Sequence, residues 1–454
     1  MKVTVHGAAG EVTGSCMLIE CAGSKVLLEC GMIQGGREAF RRNAEPFPFD
    51  VQALDAVVLS HAHIDHSGRL PLLAKAGCRA PVYTHRATRD LCRIMLRDAA
   101  YLQEKDAELE TRKRERSGKA PVEPLYTQAD ATAAVRRIRG LDYATPRTIA
   151  PGVKLTLHDA GHIIGSAIVD LELSERGNKR RVVFSGDLGH SGAPILRDPT
   201  KLDHADLVFL EGTYGDREHR TWQATWDELA GVFDEAAESG GNILIPAFAV
   251  GRTQELLHVF KENFDAWRLA RWQFFVDSPM AIAATEVYAR HWYLHDDRAG
   301  GAAQPFQMRN LRFTQTPQQS QALNDIRSGA VIIAGSGMCT GGRIRHHLKH
   351  NLWRDNCHVM IVGFQAQGTL GRRLVDGADE VKLWGEPIRV AAKVHTIGGL
   401  SAHADQRELV AWYRNFRGGP RVVLVHGEPG ALAGLASALG APTTIAEPGQ
   451  SFSP

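Results

Sequence analysis

The chain runs to 454 residues, 44% hydrophobic and 23% charged, the balance of a globular protein with room for more than one domain. No apolar run approaches the roughly 20 residues needed to span a bilayer. A net charge of +2 singles out no class of partner. The 7 cysteines, odd in number and without a Cys-x-x-Cys pair, argue against a disulfide framework or a zinc ribbon and read as buried thiols.

The opening stretch, MKVTVHGAAG, alternates as a strand and shows neither the charged nor the apolar region of a signal peptide, so the chain is expected in the cytoplasm. Short β-branched runs at 26–28, 56–59, 154–157, 168–173 and 181–184, separated by Gly-rich turns, predict buried strands. A helical period covers 87–110 and ends almost wholly charged, so 112–124 reads as an exposed loop or a fraying helix end. From about Thr213 the rhythm changes. Strands at 241–246, 272–276, 330–334 and 358–362 are interleaved with helices at 251–264 and near 280–291, the pattern of a parallel α/β sheet. From Val390 short strands return, ending with 421–425. The reading is one α/β domain over 1–211 and 390–454, with a second, parallel-sheet α/β domain inserted at 212–389. Basic clusters at 112–119, 176–181 and 343–349 read as solvated faces that could also meet an anionic ligand.

The densest chemistry lies in Leu59-Ser60-His61-Ala62-His63-Ile64-Asp65-His66-Ser67-Gly68, on a loop leading from an apolar strand into a helix. Four ligand-type side chains within six positions crowd a single tetrahedral ion. Two neighbouring ions fit better, with His61 and His63 projecting together and Asp65 and His66 reaching a second site. Imidazole and carboxylate donors with an open position suit catalytic Zn²⁺. His162, in a Gly-flanked turn, and Asp187, just past a strand end, are ligand types at loop positions where such sites are assembled.

This His-x-His-x-Asp-His run, with His162 and Asp187, resembles the ligand motifs of the metallo-β-lactamase superfamily. Leu210-Glu211-Gly212-Thr213-Tyr214-Gly215, Ser401-Ala402-His403-Ala404-Asp405 and Val425-His426-Gly427-Glu428 resemble three motifs of its β-CASP nucleases. Residues 245–255, 277–281 and 335–338 are similar to that family's inserted domain. The resemblance covers nearly the whole chain and implies an αββα metallo-β-lactamase sandwich carrying an inserted β-CASP domain. It also implies two Zn²⁺ per chain. His61, His63 and His162 would hold one, Asp187 would bridge, and Asp65, His66 and His426 would complete the other. Glu211 and His403 would form a hydrogen-bonded pair beside them, His403 giving a proton to the leaving oxygen. The implied catalytic set is therefore Asp65, Glu211 and His403, and paired cations would supply an activated water. One departure stands out. The family usually has Asp in an early Asp-Cys-Gly motif, whereas this chain has Leu28-Glu29-Cys30-Gly31. Glu29 is expected to keep the role of orienting the ligand loop through hydrogen bonds.

In this family a His in the last motif accompanies the RNA-processing branches, so His426 points to RNA. The compact chain is similar to bacterial relatives of the endonuclease subunit of the eukaryotic cleavage and polyadenylation machinery, without the long extensions of other branches. Single-stranded RNA is expected in the cleft between the domains. Ser336, Gly337 and Arg343, in a Gly-rich loop ahead of a basic helix, are expected to hold phosphate, and Arg252 reads as a phosphate contact or an interdomain strut. The other classes are a DNA nuclease, a small-molecule hydrolase of the superfamily and a non-catalytic scaffold of RNA processing. Endonuclease and 5′-to-3′ exonuclease action both stay open, as does a homodimer.

Overall fold

The computed structural model describes residues 1–297 and 305–454. It comprises two compact units. Unit 1 takes in Met1–Ser191, Arg197–Glu218 and His403–Pro454, and unit 2 takes in Gly192–Leu196 and His219–Ala402.

Unit 1 is built on two 7-stranded sheets. The first orders Ser451–Phe452, Lys2–Gly7, Cys16–Cys21, Ser24–Leu28, Ala56–Val58, Val82–His85 and Ile138–Leu141. The second orders Thr443–Ile445, Arg421–Val425, Leu207–Glu211, Asn178–Phe184, Ala167–Glu175, Val153–Asp159 and Arg147–Ala150. Val5, Met17, Ile19, Val26 and Val58 of the first sheet pack against Leu155, Val169, Phe184, Phe209 and Val423 of the second in one buried cluster. Alternation makes this possible, because successive side chains of a strand point to opposite faces. Along Leu207–Glu211 every residue is buried. Phe209 faces the other sheet, while Val208 and Leu210 face the helices Gln406–Tyr413 and Pro429–Leu439. Burying one such side chain contributes roughly 1.5–3 kcal/mol. Helices Leu70–Lys75, Arg86–Glu115 and Gln128–Arg136 lie on the side of the first sheet, which gives the expected αββα layering.

Unit 2 has a 6-stranded sheet ordered Leu311–Phe313, Gln273–Val276, Ala330–Ala334, Ile243–Pro246, His358–Ile361 and Lys393–Thr396. Each of its neighbouring pairs is parallel. Ala330–Ala334 is buried at every position, as a central strand covered on both faces must be. Two expectations are corrected here. Lys393–Thr396 pairs with His358–Ile361 in this parallel sheet, so the chain does not leave unit 2 at Val390 but after Ala402. The helix starting at Arg86 continues to Glu115, its Lys105–Glu108 and Arg114–Glu110 pairs supporting a stretch whose charge had read as its end.

Candidate metal centre

The strand Ala56–Val58 delivers the chain to the centre. His63 caps a four-residue helix, Ile64–Ser67, so His61 and His63 precede the helical turn that carries Asp65 and His66. The back of this loop is held by the segment after Leu28. Cys30 N–H donates to His66 O at 2.8 Å, Met32 N–H to Ile64 O at 2.8 Å, and Ser15 N–H to Asp65 O at 2.9 Å. A Cβ at position 31 would lie 1.6 Å from the Asp65 carbonyl oxygen, so only glycine lets the two backbones meet. A second close approach joins the other loops: a Cβ on Gly189 would lie 2.0 Å from Gly161 O, which places Asp187 beside His162.

Two donor sets result, and Asp187 belongs to both. Its Oδ2 is 3.4 Å from His61 Nε2 and 3.6 Å from His162 Nε2. His63 Nδ1 is 3.1 Å from each of those ring nitrogens. Asp187 Oδ1 is 3.3 Å from His66 Nε2. His66 Nε2 in turn is 3.2 Å from His426 Nε2, and Asp65 Oδ2 is 3.5 Å from His426 Nε2. Tetrahedral donors about 2.0–2.2 Å from an ion lie roughly 3.3–3.6 Å apart, so both sets have the spacing a metal requires. The seven expected ligands are brought together, buried except for His63 and Asp65, which are partly so.

The hydrogen bonds behind the ligands fix which ring nitrogens are free. Glu29, fully buried, accepts from Ser60 N–H at 2.6 Å, from Ser60 O–H at 2.8 Å and from His66 Nδ1–H. Having donated to Glu29, Ser60 Oγ accepts from His61 Nδ1–H at 2.9 Å. A carboxylate only accepts, so one acidic side chain sets both His61 and His66 as Nδ1–H tautomers with their Nε2 lone pairs facing inward. The Glu29 backbone that carries this side chain has a left-handed φ of 64°. Thr213 Oγ1 lies 3.1 Å from His426 Nδ1 and holds the third imidazole likewise. Ser60 and Thr213 were not legible as functional residues, because a serine or threonine beside a ligand motif carries no signal until its partner is known.

Electrostatics point the same way. Asp187 Oδ1 is buried and accepts no hydrogen bond among the described residues, an orphan acceptor that a cation would satisfy. Burial pushes the His63 imidazole down to about 3, helped by His61, and holds His61 and His162 below the usual range. All three are thus neutral, as ligands must be. His66 is also buried, but Asp187 and Glu29 together pull it well above the usual imidazole range. These carboxylates demand positive charge at that point. The donor set and the orphan oxygen together fit bound metal.

Beside the two sets, His403 Nδ1 lies 3.2 and 3.3 Å from the two oxygens of buried Glu211. Glu211 is itself anchored by Leu188 N–H at 2.7 Å. Burial opposes protonation of His403, but the Glu211 carboxylate outweighs it and raises the imidazole to about 9. His403 is 4.0 Å from Asp187 Oδ2.

The residues of unit 2 expected to contact phosphate make hydrogen bonds within their own unit. The Arg343 guanidinium donates to Asp277 at 2.7 Å, Thr314 O at 3.1 Å and Gln315 O at 3.0 Å, which ties it inside the unit. Arg252, buried, pairs with Glu255 and donates to Leu400 O, all within unit 2, and is an internal strut. Ser336 Oγ accepts from the N–H groups of Thr340 and Gly341 at 3.1 and 3.2 Å, closing its own loop. Gly337 packs on Phe248, where a Cβ would come within 3.0 Å, and its carbonyl accepts from Gln365 at 2.9 Å. Basic and Gly-rich patterning cannot tell a phosphate cradle from a turn buttressed by a buried aspartate.

The known proteins most informative for this chain agree with these features. A β-lactamase superfamily domain matches residues 24–240, a β-CASP domain 253–374, and a "Zn-dependent metallo-hydrolase RNA specificity domain" 387–445. Ribonuclease TTHA0252 of Thermus thermophilus is 40% identical over 97% of this chain and 96% of its own length. Transcription termination factor FttA of Methanocaldococcus jannaschii is 31% identical over 94% of this chain and 67% of its own length. A crystal structure of a protein of unknown function from Enterococcus faecalis shares the fold, with a TM-score of 0.56 at 14% identity over 99% of both chains. The chain belongs to the β-CASP family of metal-dependent nucleases with the metallo-β-lactamase fold.

Proposed function

We propose that this protein is a ribonuclease that binds two Zn²⁺ per chain and hydrolyses phosphodiester bonds of single-stranded RNA. The observation that carries the reading is the pair of donor sets sharing Asp187, with a protonated His403 beside them. His61, His63 and His162 would hold one ion, Asp65, His66 and His426 the other, and Asp187 both. Bound there, the ions supply an activated water and neutralise charge on the phosphodiester. The remaining chemistry belongs to side chains. Glu211 keeps His403 charged at neutral pH, and His403 delivers its proton to the departing oxygen, which otherwise leaves as an alkoxide. Glu29 and Ser60 keep the ligand imidazoles in the tautomers that bind.

RNA is favoured over DNA by His426, by the RNA-specificity domain matched at 387–445 and by the name of the Thermus relative. We assign 1–211 and the chain after Ala402 to the metallo-β-lactamase domain and the segment between them to the β-CASP domain, and place the enzyme in the cytoplasm with other RNA-processing proteins. The test is digestion of matched labelled RNA and DNA with and without chelator. Chelator-sensitive cleavage of RNA alone is expected; DNA cleavage, chelator-insensitive cleavage or inert zinc-loaded protein would sink the proposal. The same RNA with a 5′-monophosphate or triphosphate, products sized, separates exonuclease from endonuclease action.

A further inference from the structure

Away from the centre described above, unit 2 gathers Glu235, His358 and His395, with one ligand-type atom of each lying within 4.8 Å of the others. They come from three elements. Glu235 and Ser239 sit one turn apart on the helix Trp222–Ser239. His358 opens the strand His358–Ile361 and is in register with Lys393 on the edge strand Lys393–Thr396. His358, Lys393 and His395 therefore share a face of the sheet, since His395 is two residues beyond Lys393.

The hydrogen bonds prepare one ring for an ion. Ser239 Oγ donates to Asn356 O at 3.0 Å, so it accepts from His358 Nε2–H at 2.8 Å. The lone pair of His358 Nδ1 then points at His395 Nε2, 2.8 Å away. A histidine with its far nitrogen tethered and the lone pair of its near nitrogen turned toward a second ligand is how proteins present imidazole to metal. Burial disfavours the charged ring at both residues, and at His358 the neighbouring His395 adds to it, bringing His358 down to about 4. Both rings are neutral near pH 7. The Lys393 ammonium pairs with Glu235, placing a positive charge where a metal would sit.

We propose that Glu235, His358 and His395 form a separate structural metal site, taking Zn²⁺ on His358 Nδ1, His395 Nε2 and a Glu235 oxygen, with water as fourth ligand. Imidazole donors select Zn²⁺ over Mg²⁺ or Ca²⁺. Two adjustments admit the ion. The proton on His395 Nε2 moves to Nδ1 as the ring nitrogens open from 2.8 Å to about 3.3 Å. Lys393, whose side chain is 58% exposed, releases Glu235 and swings into solvent. The ion then ties an edge strand to a helix.

The test uses the full chain as wild type, His395→Gln and Lys393→Ala, each loaded with a small excess of Zn²⁺ and desalted. Zinc per chain is measured by mass spectrometry, and the site is located by anomalous diffraction at the zinc edge, with the centre in unit 1 as loading control. The wild type is expected to retain one zinc per chain more than His395→Gln and to show an anomalous peak between His358 and His395. Lys393→Ala removes the competing cation and is expected to hold that zinc several-fold tighter. Equal zinc in wild type and His395→Gln overturns the proposal. So does a peak present only at millimolar zinc, which is an adventitious ion only, or unchanged affinity in Lys393→Ala.

Discussion

Replacing Glu29 by glutamine keeps the shape of the side chain and exchanges one acceptor oxygen for an NH₂ donor. Two orientations are available. With the amide oxygen at the position that meets Ser60 O–H and His66, the NH₂ faces Ser60 N–H, donor against donor in a fully buried site. With the oxygen at Ser60 N–H, the NH₂ faces His66 Nδ1 and Ser60 Oγ, which drives His66, and through Ser60 also His61, into the tautomers that turn a proton toward the metals. The first arrangement leaves a buried donor unsatisfied, costing about 1–3 kcal/mol, and the second turns ring N–H groups toward the metals, at a cost taken as similar. At about 1.4 kcal/mol per tenfold, zinc affinity falls roughly 5- to 150-fold, in line with the roughly 10–100-fold typical of groups that orient metal ligands. Glu29→Ala should lose at least as much. The assay is competition against a chromophoric zinc chelator near pH 7, with circular dichroism to confirm folding. A folded Glu29→Gln protein that binds zinc within twofold of wild type would refute the tautomer argument.

Three further outcomes are expected. His403→Ala should slow RNA cleavage roughly 10²–10⁴-fold while keeping the wild-type zinc content; a rate within threefold of wild type at full metal loading counts against the proton-donor role. Asp277, fully buried, accepts from Ser320 at 2.6 Å and from Arg343 and His347 at 2.7 Å each. Asp277→Ala should therefore cost about 3–5 kcal/mol of unit 2 stability, read by urea unfolding, and a loss under about 1 kcal/mol would show that this network carries little. Burial raises Asp159 to about 7 against the pull of Gly161 N–H and Arg197. A carboxyl raised in the folded state gives stability that is complete below its unfolded value of about 3.9 and is lost as pH rises through about 7. Asp159→Asn should thus melt higher than wild type at alkaline pH by the equivalent of about 2 kcal/mol, the full shift being discounted for residual solvent. The two should converge toward pH 4; parallel melting curves at all pH values would contradict it.

The metal-binding character of this protein was legible in local spacing. His61, His63, Asp65 and His66 lie within one turn and its approach, so their convergence is a local property that spacing reveals. The buried strands were legible for the same reason, since a run such as Ala330–Ala334 has only the interior of a sheet to occupy. Which distant residues meet is set by packing. His66 and His426 touch across 360 residues of chain, and Asp187 divides its two oxygens between donor sets because Gly161 and Gly189 let two loops close. Arg343 and Arg252 look like anion binders as residue types, yet a buried carboxylate and a carbonyl claim them, and charge on a side chain says nothing of its partner. Glu235, His358 and His395 carry no local motif at all; a helix laid on a parallel sheet brings them together. Chemistry carried by neighbours in sequence is readable from spacing, whereas chemistry assembled from distant strands waits on register and packing.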